Sequence, residues 1–342
     1  MAAEQLTIAL DANGADSGPA EVARGAALAA AGGDLRVLVF GPAAKIETTA
    51  GVEVVDAPIS IAKEADPARA VRANPQSSIV RAVRAVADGR ADGLVSGGST
   101  GAALAAGLFH LKRARGVHRP ALAVLVPVPG RPFLLLDCGA NVEVRPEHLV
   151  QFAHMGAAFM EAVIGLERPR VALLSNGTEA TKGTEDVRAA HAALTGAGGS
   201  LEFTGMVEGF AVGTGEADVI VTDGFTGNVA LKTMEATSRV TREAIRTAVR
   251  SGPISTLGGL LIRGAVGRLR AQLDPEAVGG AILLGLRRPV VVGHGSFGPD
   301  GLAAAIGLAR RAVDERMVER TAAALEAGGA LRSAPAGSFN PG

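Results

Sequence analysis

The sequence predicts an α/β fold in which helices cover both faces of a largely parallel sheet. The first observation is a repeated order. Six times along the 342 residues, a short apolar segment leads into a polar, glycine-rich segment and then into a helical pattern. The second is that these apolar segments scarcely alternate with polar residues, which is typical of strands buried on both faces. We therefore expect residues 1–332 to form a single unit, with two lobes around a central cleft.

The elements are expected in the following order. The first strand lies near residues 7–10, and its helix opens near Pro19. The Ala-rich stretch after Gly101 and the segment from about Pro146 predict two further helices. The β-branched runs at 219–221 and 290–292 predict short strands, and a helix-like segment follows each of them.

The polar segments begin where the apolar strands end. They span residues 11–18, 96–101, 137–141, 175–184, 223–228 and 293–300. Ligands of such sheets bind beyond the carboxyl ends of the strands, so we expect the six segments to converge on one cleft. Gly, Asn and Asp are also the residues that tight turns need, and any one segment is better explained as a turn alone. Six segments so rich in Asp, Asn, Ser and Thr favour a shared site for a phosphate-type anion.

Composition narrows the classes of function. Lys+Arg and Asp+Glu both number 34, so net charge gives no general case for a nucleic-acid partner. The single cysteine excludes an intrachain disulfide and fits a reduced cytoplasmic setting. The N-terminal residues lack the basic region of a signal peptide, and no apolar run reaches the roughly 18 residues that span a bilayer. Residues 333–342 (SAPAGSFNPG) are expected to be disordered.

Five of the polar segments carry motifs of one known family. They read Asp-Ala-Asn-Gly-Ala-Asp from Asp11, Ser-Gly-Gly-Ser-Thr-Gly from Ser96, Asp-Cys-Gly-Ala-Asn from Asp137, Gly-Thr-Glu-Ala-Thr-Lys-Gly from Gly177 and Asp-Gly-Phe-Thr-Gly-Asn from Asp223. The sixth segment adds "HGS" at His294. The motifs occur in order over almost the whole chain. The chain therefore resembles the bacterial phosphate acyltransferases, which make acyl phosphate from acyl-acyl carrier protein for phospholipid synthesis.

Several positions depart from the family pattern. They are Asn13, Ala15, Ser99, Ser175, Ala180 and Thr184. Amide or carboxylate groups are shortened at three of them, which bears on substrate details and rate. The reaction class is less affected, because the main Asp, Lys and Asn positions remain.

The resemblance implies the fold of the isocitrate and isopropylmalate dehydrogenases, which phosphotransacetylases share, and a homodimer without a cofactor. It implies transfer of a fatty acyl group from acyl carrier protein to inorganic phosphate. The catalytic candidates are Lys182, Asn228, His294 and Asp223. The candidates for binding phosphate or substrate are Asp11, Gly14, Asp16, Ser96, Ser99, Thr100, Gly101, Asp137, Gly139, Asn141, Gly177, Thr178, Glu179, Phe225, Thr226, Gly227 and Lys232.

The implied chemistry suits these residue types. Inorganic phosphate has a second pKa of about 7, close to the value of about 6 for its esters, so it needs no strong base to attack a thioester. It needs a fixed position, charge compensation and donors for the developing oxyanion. Lys182 is the candidate cation, Asn228 and the amides around Gly227 are candidate donors, and His294 could protonate the leaving thiolate. The structural alternatives are a solvated lysine, an N-cap at Asn228 and a structural hydrogen bond at His294.

Acidic and thiol groups near the expected anion need separate interpretation. We expect Asp11, Asp137 and Asp223 to orient Lys182, backbone amides or turns, and a Mg²⁺ site is their competing use. No group of acids and histidines shows the spacing of a specific metal site, so we expect none. Cys138 would permit a covalent acyl-enzyme, but a small buried core residue is the favoured interpretation.

Three other functions compete. A metal- and NAD-dependent decarboxylating dehydrogenase of the same fold uses a catalytic tyrosine, and this chain contains no tyrosine. A phosphotransacetylase for small acyl groups, with acyl-coenzyme A as donor, shares the fold and chemistry and differs in its donor. The departures from the family pattern also suggest a third alternative, a protein that binds the carrier at the membrane surface without catalysing the reaction.

Two segments outside the cleft suggest partners. Wound as a helix, residues 254–273 place Leu257 and Leu261 on an apolar side, with Arg263 and Arg270 opposite. A dimer partner or the protein core would cover the apolar side. The alternative is an anionic membrane, which would make this cytoplasmic protein peripherally membrane-associated.

The second segment is a basic run. It contains Lys112, Arg113, Arg115 and Arg119. We expect it either to receive the acidic acyl carrier protein or to be an ordinary solvated helix end.

Overall fold

The computed structural model describes residues 5–197 and 199–332. In this part of the chain one sheet contains the strands β1 (Leu6–Asp11), β2 (Leu35–Gly41), β3 (Val52–Asp56), β4 (Gly93–Ser96), β5 (Ala121–Val126), β6 (Phe133–Leu136), β7 (Arg170–Leu174), β8 (Glu202–Val207), β9 (Val219–Val221), β10 (Ala281–Leu284) and β11 (Val290–Val292). The α-helices are α1 (Pro19–Ala30), α2 (Pro67–Ala73), α3 (Ser78–Ala87), α4 (Thr100–Ala106), α5 (Pro146–Ala162), α6 (Glu185–Gly196), α7 (Gly224–Val249), α8 (Pro253–Gln272), α9 (Pro299–Asp314) and α10 (Met317–Ala327). The expected disorder of residues 333–342 concerns a segment outside the described residues.

The sheet is largely parallel. Its strands lie in the order β3-β2-β1-β4-β11-β10-β5-β6-β9-β7-β8. Seven of the ten neighbouring pairs are parallel, and β11–β10, β10–β5 and β5–β6 are antiparallel. The predicted α/β fold is thereby confirmed. The helices α1 and α5 begin at Pro19 and Pro146, as the sequence predicts.

The six polar segments do not lie at one edge of the sheet. Three antiparallel pairs separate β11 from β6, and an odd number of reversals makes β1, β4 and β11 run opposite to β6, β7 and β9. The carboxyl ends of the two sets therefore lie at opposite edges. This division could not be predicted from the sequence, because the apolar runs of β5 and β10 carry no sign of strand direction. The expected convergence of all six segments on one cleft stays a prediction.

Helices pack on both faces of the sheet. One apolar core joins Ile8 and Leu10 of β1 to residues of α1, α5, α9 and α10. The other joins Ala9 of β1 to residues of α2, α3 and α4. Successive strand residues point to opposite faces, so a strand between two helical layers is apolar at every position. This explains why the strands appear in the sequence as uninterrupted apolar runs.

The helices α7 and α8 pack against each other and leave most of their surface exposed. Only Gly224 and Gly227 of α7 are buried, and no residue of α8 is buried. The predicted helix over residues 254–273 is confirmed as α8, and its residues Leu257 and Leu261 are 60% and 80% exposed. Among the described helices, none combines the length and the apolar character that crossing a membrane requires.

Candidate functional site

Three polar segments follow β1, β4 and β11, which are neighbours in the sheet. We call residues 11–18, 96–99 and 293–298 the first loop group. Backbone hydrogen bonds join its segments, from Asp16 N to Gly295 O (2.8 Å), from Gly97 N to Asp11 O (3.2 Å) and from Gly293 N to Ser96 O (2.9 Å). The first loop group is therefore one connected structure.

Glycine is required where these segments meet. Gly98 has a φ of +144°, and a Cβ there would lie 2.7 Å from the Cα of Gly295. A Cβ on Gly14 would lie 3.1 Å from the backbone N of Gly98. The contacts of Gly14 therefore indicate a packing role in place of the expected role in substrate binding, because the side where a Cβ would lie faces the backbone of Gly98.

Asp11 and Ser96 lie beneath the surface of the first loop group. Asp11 is 2% exposed, Ser96 is fully buried, and Ser96 Oγ donates to the Asp11 carboxylate at 3.2 Å. Burial raises the pKa of Asp11, against hydrogen bonds from Ser78, Asn13 and Ser96 that lower it. The expectation that Asp11 and Ser96 contact phosphate directly is not supported, since neither side chain reaches the surface.

The segment after β4 is shorter than the sequence suggests. The helix α4 begins at Thr100, so Thr100 and Gly101 belong to its first turn and the loop ends at Ser99. A Cβ on Gly101 would lie 2.8 Å from Pro67 Cγ, so this glycine packs against α2. Ser99 Oγ donates to the carbonyl oxygen of Ala62 at 3.3 Å. Gly101 and Ser99 therefore have structural contacts, and the expected contacts of Ser99, Thr100 and Gly101 with substrate stay a prediction.

His294 presents an oriented, exposed ring in the first loop group. Its Nδ1 lies 2.8 Å from Ser296 Oγ and accepts from Ser296 N at 3.3 Å. With Nδ1 as the acceptor, the proton of the neutral ring resides on Nε2. The predicted structural hydrogen bond exists, and it leaves an Nε2–H donor for another partner.

Three further polar segments follow β6, β9 and β7, which are also neighbours in the sheet. We call residues 137–141, 175–184 and 222–228 the second loop group. Adjacent strands lie about 4.8 Å apart, so three neighbouring strands end within about 10 Å of one another. The second loop group includes the predicted residues Lys182 and Asn228.

Asp137 organises the backbone of the second loop group. Its carboxylate accepts five hydrogen bonds, from the backbone N of Leu122, Gly139, Ala140 and Asn141 and from Asn141 Nδ2, at 2.7–3.2 Å. The side chain is fully buried, and burial raises its pKa against these hydrogen bonds. Asp137 therefore orients backbone amides, which is one of the roles expected from the sequence. Its buried carboxylate is not placed to contact substrate directly.

Asn141 extends this framework to β5 and α7. Its Nδ2 donates to the carbonyl oxygen of Pro120 at 2.8 Å, and its own carbonyl oxygen accepts from Gly224 N at 2.7 Å. A Cβ on Gly224 would lie 2.9 Å from Asp137 Oδ2, and one on Gly227 would lie 2.0 Å from Asp137 O. The two glycines thus let the first turn of α7 approach the loop after β6.

The segment from Asp223 to Asn228 is the beginning of α7 and not a loop. Asp223 is its N-cap, and its carboxylate accepts from Thr226 N at 2.8 Å and from Thr226 Oγ1 at 2.7 Å. Gly227 N donates to Asp223 O at 2.9 Å. The expectation that the amide of Gly227 binds phosphate is therefore wrong in this conformation, because it already has an acceptor. Phe225, 63% exposed, occupies the outer side of this turn.

Asn228 and Lys232 lie four residues apart on α7 and therefore share one face of it. Both side chains are exposed. A Cβ on Gly139, which has a φ of +129°, would lie 3.9 Å from Asn228 Cβ, so Gly139 and Asn228 face each other. Lys232 Nζ lies 2.8 Å from Glu235 Oε2. Asn228 is thus placed at the surface, next to the loop that Asp137 fixes.

Lys182 is exposed in the segment after β7. A Cβ on Gly177 would lie 2.6 Å from Lys182 Cγ and 3.0 Å from Glu179 Oε2, so both side chains lie over this glycine. Among the described residues, no carboxylate oxygen lies within 4 Å of Lys182 Nζ. The expected pairing of Lys182 with Asp11, Asp137 or Asp223 is therefore not found in the described chain. The positive charge of Lys182 is available to an anion.

Asn176 contributes to this segment in a way that the sequence did not lead us to expect. Its Oδ1 accepts from Gly183 N at 2.9 Å and so closes the loop that carries Lys182. Thr178, in the middle of the loop, is exposed. The position of Asn176 directly before the Gly177 motif is the signal that could have identified it.

Cys138 is a core residue. It is 3% exposed, and its Sγ lies 3.3 Å from the carbonyl oxygen of Leu135. Burial raises the pKa of its thiol, and the neighbouring charge of Asp137 raises it further. The favoured interpretation as a small buried residue is confirmed, and the covalent acyl-enzyme has no accessible thiolate here.

One cluster of possible metal ligands escaped the sequence analysis. His118, Glu147 and His148 bring three ligand atoms within 4.8 Å of one another. His148 Nδ1 accepts from Arg145 N at 3.1 Å, which places the proton of the neutral ring on Nε2. Burial lowers the pKa of both histidines, Glu147 raises both, and Arg145 lowers both. The cluster therefore combines charges of both signs, and the expectation that the chain has no metal site stays a prediction.

Solved structures define the class to which this fold belongs. The EutD phosphotransacetylase from Staphylococcus aureus is similar with a TM-score of 0.58 and 21% identity, covering 90% of this chain and 94% of its own. A phosphotransacetylase from Streptococcus pyogenes has a TM-score of 0.59 and 20% identity, with the same coverage. The chain therefore has the α/β fold of phosphotransacetylases.

Sequence comparison gives the family. The fatty acid synthesis protein family matches residues 6–320. A phosphate acyltransferase from Levilactobacillus brevis is 43% identical over 301 residues, which are 85% of this chain and 87% of that protein. One from Anaeromyxobacter sp. (strain Fw109-5) is 40% identical over 346 residues, covering 98% and 96%. The chain belongs to the phosphate acyltransferase family and is an acyltransferase.

Proposed function

We propose that this protein transfers a fatty acyl group from acyl-acyl carrier protein to inorganic phosphate and releases acyl phosphate for phospholipid synthesis. Membership of the family supports the reaction class. One observation carries the assignment of the site. Exposed Lys182 and Asn228 follow neighbouring strands, and buried Asp137 fixes the backbone beside Asn228.

The residues of the second loop group suit each part of this reaction. A phosphate oxygen forms a bond to the thioester carbonyl carbon, the carbon–sulfur bond breaks, and the thiolate leaves with the electron pair. Lys182 compensates the charge of phosphate, and Asn228 Nδ2 donates to the carbonyl oxygen as negative charge develops on it. Lys232 lies on the same face of α7 as Asn228 but is paired with Glu235, so Lys182 supplies the main compensating charge. Thr178 offers an exposed hydroxyl in the loop of Lys182, and Glu179 lies with Lys182 over Gly177.

The first loop group is the alternative location. Its residues 11–18, 96–99 and 293–298 contain no Lys or Arg, so a phosphate dianion there would depend on His294 and backbone amides. The second loop group contains Lys182 and is followed by Lys232. We place the reaction in the second loop group because a dianion requires charge compensation. His294 and Asp16 would then act on another part of the substrate.

The assembly and the location are further parts of the proposal. We propose the fold of the isocitrate and isopropylmalate dehydrogenases, with the two oppositely directed halves of the sheet as two lobes around a cleft. We also propose a cytoplasmic homodimer that binds the membrane surface peripherally. The exposed residues Leu257 and Leu261, with Arg263 and Arg270 on the same helix, support a surface that a second copy or an anionic bilayer covers.

One assay tests the reaction. Protein, acyl-acyl carrier protein and inorganic phosphate are mixed, and acyl phosphate is trapped with hydroxylamine as the hydroxamate. We expect hydroxamate that depends on both phosphate and protein, with release of free carrier protein at the same rate. Equal release of carrier without phosphate would identify a thioesterase instead. Replacing the donor with acetyl-coenzyme A separates this function from that of a small-acyl phosphotransacetylase.

A further inference from the structure

Segments that are joined by hydrogen bonds carry eight exposed basic residues. We call this set the basic surface; it consists of Lys112, Arg113, Arg115, Arg119, Arg145, Arg287, Arg288 and Arg332. All eight are exposed. They come from the chain before β5, the turn between β10 and β11, the residue before α5 and the end of the described chain. The short basic run found in the sequence is therefore only half of a larger surface.

Hydrogen bonds hold the separate segments of the basic surface together. Arg287 N donates to Lys112 O at 3.2 Å, and Arg287 Nε donates to Arg113 O at 3.1 Å. Arg332 N donates to the carbonyl oxygen of Gly116 at 2.8 Å. The backbone segments that carry these side chains are thus fixed relative to one another.

The positive charge of the basic surface is largely uncompensated. Of its eight residues, only Arg145 has a carboxylate oxygen within 4 Å among the described residues, that of Glu147 at 4.0 Å. Some arginines elsewhere in the described chain are paired, as Arg310 is with Asp34 at 2.7 Å, while others such as Arg90 and Arg311 are not, so what distinguishes the basic surface is the number of unpaired charges on neighbouring segments. Burial lowers the pKa of His118, Glu147 raises it, and the nearby charges of Arg332, Arg113 and Arg145 lower it. Like charges gathered without partners oppose folding, so their arrangement points to an external anionic partner.

The basic surface borders the second loop group. Arg119 precedes Pro120, whose carbonyl oxygen accepts from Asn141 Nδ2 at 2.8 Å. Asn141 in turn accepts from Gly224 N at 2.7 Å, at the beginning of the helix that carries Asn228. A partner seated on the basic surface would therefore lie beside the proposed reaction centre.

We propose that the basic surface docks an acidic carrier protein and directs its thioester arm into the adjoining second loop group. This inference rests on the proposed function, in which such a carrier delivers the acyl group. Arginine forms paired hydrogen bonds with carboxylates, and seven of the eight residues are arginine. The large exposed apolar residues that a bilayer would require are concentrated on α8 instead.

A charge-reversal variant tests this docking. Arg115, Arg119 and Arg288 are all changed to Glu, because no hydrogen bond or ion pair of their side chains is found in the described residues. We expect the KM for acyl-carrier protein to rise by about tenfold or more at low salt and less at high salt. The kcat should be retained, as should the rate with a short acyl-pantetheine thioester that has no carrier protein.

The matched control carries the same change in charge elsewhere. Lys45, Arg90 and Arg311 are exposed and are changed to Glu together. We expect this variant to keep the KM of the parent. An unchanged KM in the Arg115, Arg119 and Arg288 variant would exclude the basic surface. If the parent makes no acyl phosphate from any donor, the proposed function fails. In that case, direct binding of labelled carrier protein to the parent and to the variants still tests whether the basic surface binds the carrier.

Discussion

Asp137 and Asn141 are joined by two hydrogen bonds to one oxygen atom. The backbone N of Asn141 donates to Asp137 Oδ2 at 2.7 Å, and its side-chain Nδ2 donates to the same oxygen at 2.8 Å. Asn141 also binds Pro120 before β5 and Gly224 at the start of α7. The pair therefore fixes the end of β6 relative to the beginning of β5 and the beginning of α7.

We expect Asp137→Asn to destabilise the fold strongly. The change replaces one acceptor oxygen by an amide group that faces backbone N–H donors, so at least two buried donors lose their acceptor. The free energy of unfolding should fall by about 3 kcal/mol or more. Chemical denaturation measures it. Asp223→Ala is the control; it removes a partly exposed N-cap and should cost about 1 kcal/mol. Equal stability of Asp137→Asn and the parent would contradict this account of the loop.

The prediction of the fold from the sequence had a clear physical limit. Strands between two helical layers must be apolar throughout, so β1, β9 and β11 could be recognised. The direction of a strand leaves no comparable mark. β5 and β10 are apolar runs like the others, and their antiparallel pairing sends the two loop groups to opposite edges. Local sequence therefore predicted the six strands that precede the polar segments but not that reversal.

His154 should make stability depend on pH. The ring is fully buried, neither nitrogen has a hydrogen-bond partner, and burial lowers its pKa. The ordinary histidine value is about 6.5, so the unfolded chain binds a proton at a pH where the folded protein does not. The stability contributed by the neutral ring is complete above about pH 6.5 and is lost as the pH falls below it.

His154→Leu should therefore lose less stability than the parent between pH 8 and pH 5.5. It should also gain about 1 kcal/mol at pH 8, because it no longer buries unpartnered polar atoms. His154→Gln is the matched control, expected to weaken the pH dependence without that gain. Unfolding by urea at both pH values gives the comparison. A pH dependence as steep in both variants as in the parent would show that His154 is not its source. Other histidines with lowered pKa values, His110, His118 and His148, contribute in the same direction to the slope that remains.

Lys182→Ala and Asn228→Ala should each reduce kcat by about a hundredfold while the proteins stay folded, since both side chains are exposed and removal of a preorganised donor costs this much. Cys138→Ser should retain most activity, because the thiol is buried. The hydroxamate assay measures all three. Loss of activity in a folded Cys138→Ser protein would restore the covalent mechanism.

His294→Ala decides between the two loop groups. If the second loop group holds the reaction centre, this variant should keep more activity than Lys182→Ala, because His294 lies at the opposite edge of the sheet. A greater loss in His294→Ala than in Lys182→Ala would place the reaction in the first loop group.

The candidate site shows which residue roles the sequence could indicate. Lys182 and Asn228 could be proposed because each belongs to a glycine-containing motif of the family that follows a predicted strand, and both are exposed. Asp11, Ser96 and Asp137 follow the same rule in the sequence, yet they are buried and bind neighbouring chain. Whether a strand-end side chain turns outward depends on the next strand in the sheet, which is a tertiary property.

The final prediction concerns the exposed face of α8. Ile254, Leu257 and Leu261 are 87%, 60% and 80% exposed, and covering such residues is favourable by about 25 cal/mol for each Å² of apolar surface. Changing Leu257 and Leu261 to Glu should abolish flotation with anionic vesicles while the sheet and its helices remain folded, because α8 contributes no buried residue. Binding of the parent should be weak and reversible, and a dimer should strengthen it through two such helices.

Two further measurements distinguish a membrane from a second copy of the chain as the partner that covers this face of α8. Leu28→Glu with Ile59→Glu changes two other exposed apolar residues, 51% and 44% exposed, and should float as the parent does. Sedimentation of the Leu257 and Leu261 double variant gives its oligomeric state. A dimer that no longer floats supports the membrane as the occupant, since the face is then needed only for lipid. Dissociation into monomers would show that a second copy covers α8. Flotation equal to that of the parent would show that the anchor lies outside this helix.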